Sequence, residues 1–156
     1  MDYPRFPLFV DISGWKVLVA GGGTISERRV KTLLRFGAGI TVVAPQATDG
    51  LKELAAEEKI NLVFEEFETV KIDKNRWNLV LAATGDKDLN HDIYSVCKAN
   101  GILVNNASNQ DECDFFFPAI MEGQGIVAGM TSGGKDHAKV KKIAAEIREI
   151  LSRGDQ

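Results

Sequence analysis

The run Gly21-Gly22-Gly23-Thr24-Ile25-Ser26 is where residue type and spacing point most directly to chemistry. It follows the pattern G-x-G-x-x-G, with Ser in the sixth place. The first glycine permits a sharp turn, and the third lets a diphosphate approach the backbone. A helix opening at that point offers free N–H groups and a partial positive charge. The pattern carries weight only between a strand and a helix. Residues 15–20 are a short apolar run that stops at the glycines, and Ile25, Val30, Leu33 and Leu34 then recur on one helical face until Gly37. A dinucleotide is the ligand this arrangement suits. The acid expected about 20 residues on, to hold the adenosine ribose, is missing. The second strand ends in Ala44-Pro45-Gln46-Ala47-Thr48 and the first acid is Asp49. Gln46 or backbone groups would meet the ribose instead, and the choice between NAD and NADP stays open. Arg28 and Arg29 read as residues of a solvated helix face.

A second group of residues lies near the end of the chain. Ser132-Gly133-Gly134 precedes a helical stretch whose first turns hold Lys135, His137, Lys139, Lys141 and Lys142. A hydroxyl, exposed amides and clustered cations suit an anionic ligand. His137 is a candidate proton acceptor because an unperturbed imidazole titrates near 6.5; His91 reads as structural. Cys97 and Cys113 are sixteen positions apart with no CxxC partner, so neither a disulfide framework nor a zinc site is expected. There is no P-loop lysine and no Ser/His/Asp nucleophile motif. Nineteen Lys and Arg against twenty-two Asp and Glu give a net charge of −3, which argues against nonspecific nucleic-acid binding. No apolar run approaches the roughly 20 residues of a membrane span, and residues 1–7 do not resemble a signal peptide. A cytoplasmic protein that does not engage membranes is the expectation.

These groups must be held by a scaffold. The chain of 156 residues has the length of one domain with a short appendage. Periodicity predicts strands at 15–20, 40–44, 61–64, 79–83 and 102–104, alternating with helices at 25–36, 49–59 and 88–100; residues 70–76 read as a connector. That alternation is α/β: a Rossmann-like, doubly wound parallel sheet. Beyond Asn109 the pattern changes. Two apolar runs, 115–121 and 126–130, flank Glu122-Gly123-Gln124-Gly125 and predict an antiparallel hairpin, followed by a helix over 135–151. The helix should bury Val140, Ile143, Ala144, Ile147, Ile150 and Leu151. Strand alternation would turn two of Phe115, Phe116 and Phe117 toward a core or interface. A hairpin and one helix cannot bury both faces alone. The expected division is therefore a nucleotide domain, 1–113, and a C-terminal hairpin-plus-helix segment, 114–156, that docks on a second copy in a homodimer.

The order of these pieces resembles the precorrin-2 dehydrogenases of siroheme synthesis, including the N-terminal module of multifunctional siroheme synthase. The resemblance rests on Tyr3-Pro4 through Phe9, the triple glycine with Glu27-Arg28-Arg29, Gly37-Ala38, and Thr41-Val42-Val43-Ala44-Pro45. It continues through Ala82-Ala83-Thr84, Val104-Asn105, Cys113-Asp114-Phe115, Phe117-Pro118-Ala119 and Thr131-Ser132-Gly133-Gly134. It implies an NAD-binding Rossmann domain with a dimerisation segment and substrate in the cleft between them. The implied reaction is NAD-dependent oxidation of precorrin-2 to sirohydrochlorin, in some members with iron chelation as well. It places cofactor contacts on Gly21, Gly22, Gly23, Thr24, Ile25, Pro45, Gln46 and Thr84, and tetrapyrrole contacts on Asn105, Ser132, Gly133 and Lys135. It implies catalytic roles at Ser108 and His137.

Three departures stand out. Ser108 occupies the place of a family Asp thought to assist dehydrogenation and chelation, with Asp111 and Asp114 as candidate substitutes. Lys135-Asp136 replaces a Ser-Pro, and relatives continue into a small helical domain beyond the region matched here. A dimeric module that binds NAD or a tetrapyrrole without catalysis, as carrier or regulator, is the alternative. A Rossmann oxidoreductase for another small metabolite is a third.

Overall fold

The computed structural model describes residues 3–155. The chain divides into two compact units, one spanning Val10–Phe115 and the other made of the residues up to Phe9 together with those from Phe116 onward.

In the first unit the elements are β1 (Lys16–Ala20), α1 (Thr24–Leu34), β2 (Gly39–Val43), α2 (Asp49–Ala56), β3 (Asn61–Val63), β4 (Leu79–Ala82), α3 (Lys87–Asn100) and β5 (Leu103–Asn106). The strands form one parallel sheet in the order β3-β2-β1-β4-β5. The direction of travel reverses between β1 and β4, the point at which doubly wound sheets bind ligands beyond the strands' carboxyl ends. Right-handed crossovers put α1 and α2 on one face and α3 on the other. On the α3 side Leu18, Ala20, Val80, Ala82 and Val104 pack with Ile93, Cys97 and Trp77. Alternation turns Val17, Val19, Val42 and Leu81 to the opposite face, where α1 and α2 bury Val30, Leu33 and Leu51.

Local chemistry sets the element ends. Thr48 caps α2 by accepting from the Leu51 amide, and Asp86 caps α3 by accepting from Asp88 and Leu89. Gly101, at φ 66°, closes α3 in the left-handed conformation that glycine takes without steric cost. The predicted α2 ends early because the chain turns at Glu58, whose φ is 57°. The predicted fifth strand is shifted: it starts at Leu103 and runs through Asn105 and Asn106.

The second unit holds β6 (Ala119–Gly123), β7 (Ile126–Met130) and α4 (His137–Ser152). β6 and β7 pair antiparallel, with Gly123 opposite Ile126, so the turn is Gln124-Gly125 alone. Both turn residues have positive φ, 52° and 75°, the signature of a type I′ hairpin. The first hairpin strand begins only at Ala119. Phe115, Phe116 and Phe117 are not in a strand, so the alternation argument does not apply to them; Phe116 instead lies under the Arg5 guanidinium at 4.7 Å. α4 packs Ala144, Ile147 and Leu151 on Met121 and the hairpin, whereas Ile150, predicted inward, is exposed. The Gln124 amide donates to the Leu151 carbonyl at 2.9 Å and so caps the helix's far end.

Candidate functional site

The three glycines of the turn do three different jobs. Gly21 has φ 110°, gives its N–H to the Val43 carbonyl at 3.0 Å, and lies so close to the Ala83 carbonyl that any Cβ would overlap it. Its amide is therefore occupied by the scaffold. Gly22 lies against the Gln46 carbonyl with the same consequence, and its own carbonyl accepts from the Thr48 amide at 2.9 Å. This pulls the loop after β2, with Pro45 and Gln46 exposed on it, onto the turn. Gly23 is different: a Cβ there would meet nothing within 4 Å. It is the N-cap of α1 and supplies no side chain to the first-turn amides. Of the four α-helices among the described residues, α1 is the one whose start has no side-chain cap. Backbone amides at Thr24 and Ile25, an open approach over Gly23 and the helix dipole make a cradle that fits a diphosphate. Ser26, in the sixth place of the pattern, is fully buried and its hydroxyl has no hydrogen-bond partner.

On the other side of the switch point, the loops after β4 and β5 are joined by a polar network. Asn90, buried on α3, accepts at Oδ1 from the Thr84 amide (3.1 Å) and the Thr84 hydroxyl (2.7 Å). Its Nδ2 donates to the Thr84 carbonyl (3.1 Å) and to Ser108 Oγ (3.2 Å). Ser108 Oγ–H in turn donates to Asn106 Oδ1 at 2.7 Å, and Asn106 Nδ2 donates to Glu112 Oε2 at 2.7 Å. Glu112, on a single 3₁₀ turn (Gln110–Glu112), pairs through its other oxygen with His91 Nδ1 at 2.6 Å. The Glu112 hydrogen bond holds the His91 imidazole above its ordinary pKa, with Asp92 and Asp88 adding to the effect. Burial pushes the Glu112 carboxyl up, but hydrogen bonds from His91 and Asn106 outweigh it and leave it below the usual range.

The candidate residues are thus distributed unevenly. Gly21, Gly22, Gly23, Thr24, Ile25, Pro45, Gln46, Thr84, Asn105 and Ser108 belong to the first unit; Ser132, Gly133, Lys135 and His137 belong to the second. Ser108 is exposed, with its proton directed to an amide oxygen. Asn105 is buried and gives its Nδ2 to the Phe115 carbonyl at 2.8 Å, while its Oδ1 is buried without a partner. Asp114 points elsewhere, to Lys98 Nζ (2.7 Å) and the Val104 amide (3.0 Å). The carboxylate joined to Ser108 is Glu112, through Asn106. Nothing in the spacing of the sequence singled out Asn90, Asn106 or Glu112. In the second unit Asp136 caps α4 by accepting from the Lys139 amide at 2.9 Å, and Ser132 Oγ accepts from the Asp136 amide at 2.9 Å. Ser132 is therefore one turn upstream of the helix cap. No group of three or more His, Cys, Asp or Glu residues suited to a metal occurs among the described residues.

Residues 8–119 match the family described as "Putative NAD(P)-binding". The chain belongs to this NAD(P)-binding family. Among curated relatives, the "Probable multifunctional siroheme biosynthesis protein HemA" of Ruminiclostridium josui is 50% identical over 149 residues, covering 95% of this chain and 28% of that protein. A siroheme synthase of Psychrobacter sp. (strain PRwf-1) is 36% identical over 149 residues, covering 96% and 30%. The chain thus spans less than a third of the length of these two relatives. Among solved structures, "SirC, precorrin-2 dehydrogenase" superposes with a TM-score of 0.73 at 27% identity, covering 93% of this chain and 70% of that one. The resemblance read from the sequence holds, and so does the fold class: a five-stranded Rossmann-like sheet followed by a hairpin and helix. No helix among the described residues is long and apolar enough to cross a membrane.

Proposed function

We propose that this chain binds NAD at the glycine turn and dehydrogenates precorrin-2 to sirohydrochlorin, as a cytoplasmic homodimer. The observation that carries the reading is the start of α1, left without a side-chain cap behind an open Gly23, in a chain similar to SirC over 93% of its length. Bound there, NAD would supply the hydride acceptor, since redox chemistry of this kind belongs to the cofactor. The chain's own residues place and polarise. Thr24 and Ile25 amides hold the diphosphate, Pro45 and Gln46 border the adenosine end, and Thr84 shapes the loop after β4. Ser108 presents an oriented hydroxyl oxygen to substrate, and the buried Asn105 Oδ1 is left as an acceptor. Ser132, Gly133 and Lys135 meet the acidic side chains of the macrocycle, and His137 takes the proton. Ser108 is not assigned the base: its proton goes to the amide of Asn106, which cannot pass it on. Iron insertion is not part of the proposal, because Ser108 stands where a carboxylate would be needed.

One substitution separates scaffold from function. Gly23→Ala places a methyl in the cradle where nothing beyond its two chain neighbours lies within 4 Å. It should fold with a stability change under about 1 kcal/mol yet lose most NAD affinity by calorimetry. Anaerobic incubation of the wild type with precorrin-2 and NAD should raise NADH absorbance, and Gly23→Ala should not. Unchanged NAD binding in Gly23→Ala would overturn the cradle.

One observation favours the non-catalytic alternative. Asp136 already occupies the amide end of α4 with a carboxylate, where an anionic substrate would otherwise gain. NAD binding without any NADH formation would decide for the carrier.

A further inference from the structure

The acid missing from the end of β2 is supplied by a different element. Glu27 sits in the first turn of α1, its amide bonded to the Gly23 carbonyl at 3.0 Å. Its side chain reaches across to the start of α2, where it accepts from the Thr48 hydroxyl and lies against the Cα of Gly50, so closely that any Cβ on Gly50 would overlap the carboxylate. Thr48 is in turn bonded through its amide to the Gly22 carbonyl. The carboxylate, the glycine turn and the loop after β2 are therefore one cluster. Asp49, the acid that follows β2 in the sequence, is almost wholly exposed and faces Lys52 at 3.9 Å.

We propose that Glu27 is the residue that makes this chain select NAD over NADP. The inference rests on the nucleotide-binding reading above. In doubly wound folds an acid beyond the second strand accepts from the ribose 2′-hydroxyl and rejects a 2′-phosphate. A carboxylate has about four lone-pair sites. Lys31 and the Thr48 hydroxyl use two at Glu27, leaving acceptors for a ribose hydroxyl. A 2′-phosphate brought to the same loop would face a fixed like charge, which interfaces use to exclude wrong partners. Lys31, paired with Glu27 and half-exposed, is the cation that would welcome the phosphate if the carboxylate were gone. The exposed Arg28 is the residue next to Glu27 in sequence.

The test is calorimetric titration of NAD and NADP, separately, into the wild-type chain, Glu27→Gln, Lys31→Gln and Asp49→Asn. The wild type should favour NAD by at least roughly tenfold. Glu27→Gln, which keeps the shape and can still bond Thr48, should narrow the ratio to about threefold or less, chiefly through tighter NADP binding. Lys31→Gln should widen it, and Asp49→Asn should leave it unchanged. A ratio in Glu27→Gln equal to that of the wild type overturns the assignment, as does a wild type that binds both equally. If Glu27→Gln does not fold, an unwidened ratio in Lys31→Gln overturns it instead. If the wild type binds neither dinucleotide, the underlying nucleotide reading falls and the selectivity falls with it.

Discussion

Asn90 uses both ends of its amide to hold two loops, Thr84 on one side and Ser108 on the other, with almost no exposure to water. A buried donor or acceptor left without its partner costs more than the bond itself is worth. Asn90→Leu keeps the branched outline in a bulkier side chain and strands the Thr84 amide and carbonyl, so stability should fall by between about 2 and 4 kcal/mol. A urea midpoint shifted at constant slope would show it. A loss below about 1 kcal/mol would mean the loops are held by something else. At the outer end of the same network, His91 has its pKa raised by Glu112. A raised folded pKa means that the charged imidazole stabilises the fold fully below its unfolded value near 6.5. That contribution is lost as pH rises through the raised value. The measurement is the titration of the His91 ring by NMR. Glu112→Gln should bring its midpoint down toward 6.5, and a midpoint that does not move would break the assigned pairing.

At the scale of elements, most of what the sequence showed lay in apolar periodicity and in glycine. β1, α1, β4 and α3 fall within a residue or two of their predicted bounds, because each carries an uninterrupted apolar pattern and a clear stop. The misjudged edges have polar or proline causes. β5 extends through Asn105 and Asn106, which do not read as strand residues until Phe115 and Glu112 are seen to accept from their side-chain Nδ2 groups. β6 begins after Pro118, which has no N–H to give to a ladder. α4 starts at His137 because Asp136 takes the cap position. The glycine cradle was legible because its chemistry is local. Glu27, Asn90 and Glu112 were not, since each acts on an element distant in sequence or across a turn whose geometry spacing does not fix. Gly21 shows how much one position in an element can matter. Gly21→Ala would combine a φ of 110° with overlap on the Ala83 carbonyl. It should lower stability by more than about 2 kcal/mol and show as a drop in Tm, in contrast to the mild Gly23→Ala.

At the scale of the whole molecule, the second unit is underfilled on its own. Its small core is Met121, Ala144 and Leu151 with a few neighbours, while Tyr3, Phe6, Leu8 and Phe9 are at least 72% exposed and Ile126, Val127 and Ile150 are also open to solvent. A concentration of large apolar side chains on one small unit marks an association surface rather than an ordinary exterior. The proposed homodimer gives it a purpose, since a two-stranded hairpin needs more than one helix to bury both faces. Sedimentation at micromolar concentration should then give the mass of two chains. Phe6→Asp with Leu8→Asp alters side chains that contribute little to the isolated unit, so monomer stability should change by less than about 0.5 kcal/mol. The same pair should shift the mass toward a single chain. If the wild type sediments as one chain throughout, the apolar segment must serve some other partner and the homodimer is wrong.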